Sequence, residues 1–249
     1  MHDSILVLTY HSISDAGGPT SIPTPVFAMQ METLAQCGYS SVTLGEFMEW
    51  HDGKADPGRR VLITFDDAYM DFAQIAAPIL RRHGFGATVF VPTGLVGQDE
   101  EWVGSNRPPR PLMGKAHIKA LARKGIEFGA HGRAHLNLAQ LAPQAREAEI
   151  AGSGTDLADM LGKPTLSFAA PFGAVNPETV ATIGQHYQIA FGTRFDIVRQ
   201  GEDRFDIPRI DMHYFRKYNH WRSFVAGNLV YLRARQALRW VGNKVRPRG

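Results

Sequence analysis

Cysteine is nearly absent: Cys37 stands alone in 249 residues, so no intrachain disulfide can form and a reducing compartment is permitted. Its plainest role is that of a small buried apolar residue. Long apolar runs are also missing. No stretch approaches the roughly 18 residues a bilayer span needs. The opening MHDSILVLTYHS lacks the basic start and extended apolar segment of a secretion signal. Cytoplasmic residence is the resulting expectation. No repeat and no low-complexity segment occurs, and 44% apolar with 20% charged residues is the composition of a chain able to fill a core, which argues against intrinsic disorder. Finally, acidic residues are missing from one region. Met212 to Gly249 carries nine Lys/Arg and no Asp/Glu, so of the chain's 27 basic and 24 acidic residues the rest holds 18 and 24, a net charge of −6. The net +3 belongs to the tail.

What is present is an alternation. Short β-branched or apolar runs at Ile5–Thr9, Val61–Phe65, Ala87–Val91, Glu127–Ala130, Thr165–Ala169, Ile189–Gly192 and Ile207–Met212 are separated by helix-period segments at Phe27–Gln36, Asp71–His83, Lys115–Lys124, Pro143–Leu161 and Pro177–His186. Such βα units predict a parallel sheet. Gly38, Gly84, Gly125 and Gly162 fall where helices should stop, and Thr43 with Glu46 forms a capping box that opens a short helix to about Trp50. The glycine- and proline-rich stretch Gly94–Gly114 reads as a long loop. One barrel domain over residues 1–215, followed by a basic amphipathic appendage over 216–249, fits the length.

Three motifs follow strand-like runs, at the carboxyl edge where parallel α/β folds place their sites. The run Val61–Phe65 ends in Asp66-Asp67. Buried carboxylates need partners, although an Asp pair can also simply cap a helix. His131-Gly-Arg-Ala-His135 sets two imidazoles four residues apart; alone, such a pair is more often structural than a ligand set. With a carboxylate from another strand end it becomes an Asp-His-His set with open positions, the pattern of a catalytic zinc site. The third motif, Pro171-Phe172-Gly173, shapes at least a turn.

In this order and combination, the motifs resemble the polysaccharide deacetylase family, the NodB homology domain, from about Ile5 to Met212. The resemblance implies a distorted (β/α)7 barrel and a metal-dependent hydrolase that removes N-acetyl groups from an amino-sugar-containing saccharide, with exopolysaccharide or lipid-linked precursors among the candidates. It implies Asp66 as catalytic base and Asp67, His131 and His135 as metal ligands. Pro171, Phe172 and Gly173 correspond to the substrate and oxyanion turn, with Phe172 where tyrosine is usual. The backbone N–H of that residue does the work, so a lost hydroxyl need not matter. Zinc is the default for such ligands, with cobalt, nickel or iron accepted.

Two departures stand out. Ala169 occupies the position of an arginine that orients the base in the family. Arg209 is a residue that a closed barrel could bring there, though a structural ion pair is the plainer expectation for it. The C-terminal Leu-x-His motif that supplies the general acid is missing, and His213 does not fit it. Instead Leu8-Thr-Tyr-His11 resembles a branch related to exopolysaccharide deacetylases, in which an early histidine supplies the acid, making His11 the candidate. His2, His51, His83, His117, His186 and His220 lack partners in the pattern and read as solvated or structural.

In the tail, Trp221, Phe224, Val225, Leu229 and Leu232 recur at helical spacing among Arg222, Arg233, Arg235 and Arg239, with Trp240 beyond. A terminal helix packed on the barrel with a solvated basic face is the plain expectation; a helix drawn to anionic lipid at the inner membrane face is the sharper one. Nucleic acid is not expected as a partner, because the rest of the chain is acidic. Two alternatives to sugar deacetylation remain: a deformylase or amidase with the same metal site, and an inactive glycan-binding barrel. The sequence leaves the oligomeric state open.

Overall fold

Strand β1 (Leu6–Tyr10) runs parallel to β3 (Arg60–Phe65), with Leu6 opposite Val61 and Tyr10 opposite Phe65. Around this pair the sheet continues through β4 (Thr88–Val91), β5 (Glu127–Ala130), β6 (Ser167–Ala169) and β7 (Ile189–Phe191) on one side, and through β8 (Ile210–Asp211) on the other. Every pairing is parallel, and β2 (Ser40–Ser41) adds to the edge of β3. This computed structural model describes residues 4–100, 102 and 108–245, the last five by their backbone alone. His2, the centre of the 94–114 loop and the final four residues lie outside the described residues.

The barrel almost closes on itself. Ile207 bridges Phe191 in β7, and three residues later Ile210 opens β8 against Leu8 of β1. The sequence reads Ile207–Met212 as one strand; the structure breaks it because Pro208 has no N–H to give to a ladder. A second correction has a similar cause. The expected helix Asp71–His83 is a widened π turn at Phe72–Ala76 followed by α3 (Ala77–Arg82), since Pro78 cannot donate to the carbonyl four residues back.

The other helices follow the expected segments: α1 (Thr24–Gln36), α2 (Leu44–His51), α4 (Lys115–Ala122), α5 (Pro143–Leu161) and α6 (Pro177–His186). Both hydrogen bonds of the Thr43–Glu46 capping box form. Inside, Tyr10 stacks on Phe65, and Phe27 and Phe72 meet Phe65 edge-on at 5.8 and 4.7 Å. Burying each such ring stabilises the fold by roughly 1.5–3 kcal/mol, so these contacts hold α1 and the π turn against the first strands.

The tail is two helices, α7 (Tyr218–Val225) and α8 (Val230–Val245). Trp221 and Phe224 are fully buried in the main core with Phe215, and the Trp221 indole donates to the carbonyl of Gln30. The arginines do not form a single solvated face. Arg235 and Arg239 are half-buried, their guanidinium groups 4.4 Å from the ring centre of Tyr214 and 5.3 Å from that of Phe195. Pairing with ring faces explains the inward turn. No helix is long and apolar enough to cross a membrane among the described residues.

Candidate active site

Parallel strands all end on one side, so the residues just beyond them share one rim. His11 follows β1, Asp66 and Asp67 follow β3, His131 follows β5, Ala170 follows β6 and Thr193 follows β7. They line a cleft of about 290 Å³ together with Thr9, Thr20, Trp102, His135, Phe172, Gly173, Arg209, Asp211 and Arg239.

The deepest group is Asp67, His131 and His135, all buried, with donor atoms within 4.8 Å of one another. The Nε2 atoms of His131 and His135 lie 3.3 and 3.1 Å from Asp67 Oδ1. That oxygen nevertheless has no aligned hydrogen bond, and neither does Nδ1 of His135. Such orphaned buried atoms are uncommon in folded proteins. Asp67 Oδ1 is the electron-pair donor on which the two Nε2 atoms converge. His131 Nδ1 donates to the Ala169 carbonyl at 2.7 Å, which leaves the Nε2 lone pair facing Asp67. Two imidazoles and a carboxylate with open positions fit a zinc-type divalent ion.

Local construction explains the convergence. The turn from His131 to His135 is fastened by Glu149 of α5, which accepts the N–H groups of Arg133 and Ala134 at 2.8 and 2.9 Å. The Arg133 side chain pairs with Asp156, about two turns further along the same face of α5. Gly152, in the interior of α5, is explained by the same contact: a Cβ there would strike the Arg133 guanidinium. Backbone strain also gathers at this rim. Among the described residues the non-glycine positions with positive φ are Asp67, Ala68, His135 and Phe172. Each such position costs on the order of 1–3 kcal/mol and persists only where its surroundings enforce it.

Asp66 is held differently. Arg209 grips it with two hydrogen bonds, of 2.7 and 2.8 Å, and also donates to the Gly192 carbonyl and the Thr64 hydroxyl. The arginine is fully buried, and its backbone N–H reaches the Arg194 carbonyl across the closing seam. Burial is the largest influence on the Asp66 carboxyl and would raise it, but the charge and hydrogen bonds of Arg209, joined by His131 and His11, together hold the group below the usual range. For Asp67, burial is again the largest influence, and the neighbouring His131 and His135 rings overcome it, keeping the carboxyl well below its ordinary value. His135 is pushed down by burial, toward the neutral ring that a ligand needs. In His131 burial acts downward, and the carboxylates of Asp67 and Asp66 pull the net direction up.

At the mouth, His11 Nε2 lies 3.9 Å from Asp66 Oδ2 with its side chain 26% exposed. Phe172 projects from a turn at Pro171–Gly173, bending to φ 60, and its ring meets His135 edge-on at 4.6 Å. The turn is closed by Gly173 N–H to Ala170 and Ala174 N–H to Pro171, and the Phe172 N–H is in neither bond. Trp102 stacks on the other side of His135 at 3.8 Å.

Against this geometry, residues 53–189, more than half of the chain, match the polysaccharide deacetylase family. The chain belongs to the polysaccharide deacetylase family. The Bacillus subtilis protein YxkH, named for the polysaccharide deacetylases, is 29% identical over 206 residues, covering 82% of this chain and 70% of that one. A poly-beta-1,6-N-acetyl-D-glucosamine N-deacetylase of Staphylococcus aureus is 26% identical over 200 residues, 76% of this chain and 67% of its own length. Among solved structures, IcaB of Ammonifex degensii superposes with a TM-score of 0.74 at 25% identity, covering 90% of this chain and 96% of that one. The Streptococcus pyogenes deacetylase PplD, solved with acetate, gives 0.73 at 25% identity over 84% and 92%. The curled parallel sheet with surrounding helices is the barrel of this family.

Within that family frame, the structure brings Asp66, Asp67, His11, His131, His135, Phe172 and Gly173 into one cleft. Pro171 is buried and is not among the lining residues. His213 also lies outside the cleft lining, its ring pushed down by burial. Trp102, Thr193, Asp211 and Arg239 are lining residues that the motifs did not mark. Trp102 sits in a loop without periodicity, and Arg239 is 28 residues beyond Asp211 in a helix that reads as surface.

Proposed function

We propose that this chain is a metal-dependent hydrolase that removes the N-acetyl group from an amino-sugar-containing saccharide. The observation that carries the proposal is the placement of an arginine-held carboxylate, with a histidine 3.9 Å from it, beside a buried Asp-His-His donor set in one cleft of a polysaccharide deacetylase barrel. Zinc suits the donors best, and cobalt, nickel or iron could replace it. When bound, the metal supplies polarisation of the amide carbonyl and activation of a water near neutral pH.

The residues divide the remaining work. Asp66, ionised and fixed in angle by Arg209, accepts the proton of the attacking water. The Phe172 N–H, left outside the bonds that close its turn, donates to the carbonyl oxygen as that atom gains charge; one such donor is typically worth about 3 kcal/mol. His11, half open at the mouth, gives a proton to the departing amine. Water adds to the carbonyl carbon, the C–N bond breaks, and acetate and a free amino sugar leave.

The substrate we favour is an N-acetylated saccharide of the exopolysaccharide or lipid-linked kind, met at the cytoplasmic face of the membrane. The relatives that act on poly-N-acetylglucosamine support the first, and the cationic tail supports the location. Acetate release from N-acetylglucosamine oligomers by zinc-loaded protein, beside Asp66→Asn, tests the proposal. Release by the parent and none by the variant is the expected result; metal bound stoichiometrically with no release from any acetylated sugar would sink it.

A further inference from the structure

Helix α8 is amphipathic in an unexpected sense. Its inner face carries Leu232, Arg235 and Arg239, packed on the barrel, whereas Val230, Leu238 and Trp240 are 74%, 60% and 61% exposed. Arg239 reaches the cleft itself, donating to the Thr193 carbonyl and lining the wall beside Gly173 and Asp211. The apolar outer face is therefore joined to the mouth of the site by a single residue.

The same bias appears around the rest of the mouth. Eight large apolar side chains are exposed among the described residues: Leu136, Leu166, Phe172, Val175, Tyr218, Val230, Leu238 and Trp240. Five of these fall at cleft-lining residues or within two positions of one. Leu136 follows His135, Phe172 is itself in the lining, Val175 lies just past Gly173, and Leu238 and Trp240 flank Arg239. Isolated exposed apolar residues are ordinary, but gathered ones mark an interaction surface.

We infer that the cleft rim and the outer face of α8 rest on an anionic lipid surface, so that the site draws its saccharide from a lipid carrier. This deepens, and for the substrate rests on, the deacetylase reading. Charge complementarity selects the occupant. The surface lies in a segment with nine Lys/Arg and no Asp/Glu, attached to a body of net −6. A second copy docked symmetrically would set two such cationic segments against each other, whereas an anionic bilayer attracts the segment and repels the body, orienting the molecule mouth-down. An aromatic and a leucine on a helix that also exposes Arg233 form the side-chain set of interfacial helices.

The test is co-sedimentation of the full chain with phosphatidylcholine vesicles, with and without phosphatidylglycerol. Binding is expected only with the anionic lipid and should weaken at least tenfold in the double variant Leu238→Glu/Trp240→Glu, whose thermal midpoint should stay at the parent value. Leu166→Glu, at an exposed apolar position away from the cleft, should bind like the parent. Asp66→Asn should also bind like the parent, which separates the surface from the chemistry: vesicle binding by a parent protein that releases no acetate counts against the deacetylase reading alone. No binding to anionic vesicles would overturn the inference. So would equal binding by the double variant, or a dimer in light scattering that the same substitutions dissolve.

Discussion

Arg209 holds both oxygens of Asp66, at 2.7 and 2.8 Å, from the short segment that closes the barrel between β7 and β1. Both groups are buried, with Asp66 keeping only a small opening to the cleft, so the pair exchanges most of two hydration shells for one fork-to-fork contact and further bonds to Thr64 and Gly192. Its net contribution to stability is modest. What it fixes is the angle and charge of one carboxylate beside the donor set. Ala169 leaves the usual β6 position without an arginine, and the seam supplies one.

Breaking this pair should damage both fold and chemistry. Arg209→Met leaves a buried carboxylate without its partner and should cost about 3–5 kcal/mol of stability. In acetate-release assays the turnover should fall roughly 10- to 100-fold, by analogy with other groups that orient an active-site ligand. The acid limb of the pH–rate profile should move to higher pH, because the charge that holds Asp66 down is gone. Arg209→Lys should recover part of the turnover; a profile and rate unchanged in Arg209→Met would show that the pair is only structural. The stability sign follows from the same shift. With Asp66 depressed in the folded protein, the contribution is complete above the ordinary aspartate value of about 3.9 and is lost as pH falls through the lower folded value.

Stripping the metal with a chelator should abolish acetate release, and zinc should restore it. Zinc at 100 times its dissociation constant should stabilise the chain by about 2.7 kcal/mol, read as a rise in melting midpoint. The rise should vanish in Asp67→Asn. Affinity should weaken as pH falls, because zinc competes with protons for the rings, and the raised direction of His131 makes this begin at or above the ordinary histidine value of about 6.5. Equal midpoints with and without zinc would argue against a metal centre.

In the proposed reaction His11 serves the leaving amine rather than binding. His11→Ala should lower turnover by about 10²–10⁴-fold with little change in KM or in metal content. Full turnover in this variant would remove His11 from the proton pathway.

Trp102 covers one face of His135 and Phe172 approaches it edge-on. Since Nδ1 of His135 has no hydrogen bond, ring packing is what orients it. Trp102→Ala should therefore weaken zinc roughly tenfold in a competitive titration. Unchanged affinity would mean that the strained backbone at His135 suffices.

The sheet was legible because each of its main strands is a buried run bounded by turn residues, and six of the seven runs keep their place to within a residue or two. Prolines explain the exceptions: Pro78 widens a helix start and Pro208 splits a strand, effects that a periodicity count overlooks. The two serines of β2 carry no apolar signal at all. Within the site, the ligand and base motifs could be read because each adjoins a strand. The Arg209–Asp66 contact joins residues 143 positions apart, and only closure of the barrel makes them neighbours. Trp102 and Arg239 were hidden for a related reason, since a loop and a terminal helix advertise no site until they are folded against one.

The closing seam carries a consequence for how the protein fails. It consists of one bridge at Ile207 and a two-residue strand, among the shortest ladders in the sheet. Thermal fraying should begin where ladders are shortest, and here that join also carries the guanidinium. Warming should thus silence the enzyme before it melts: inactivation at temperatures where circular dichroism still reports an intact barrel, reversed on cooling as the two edges zip together again.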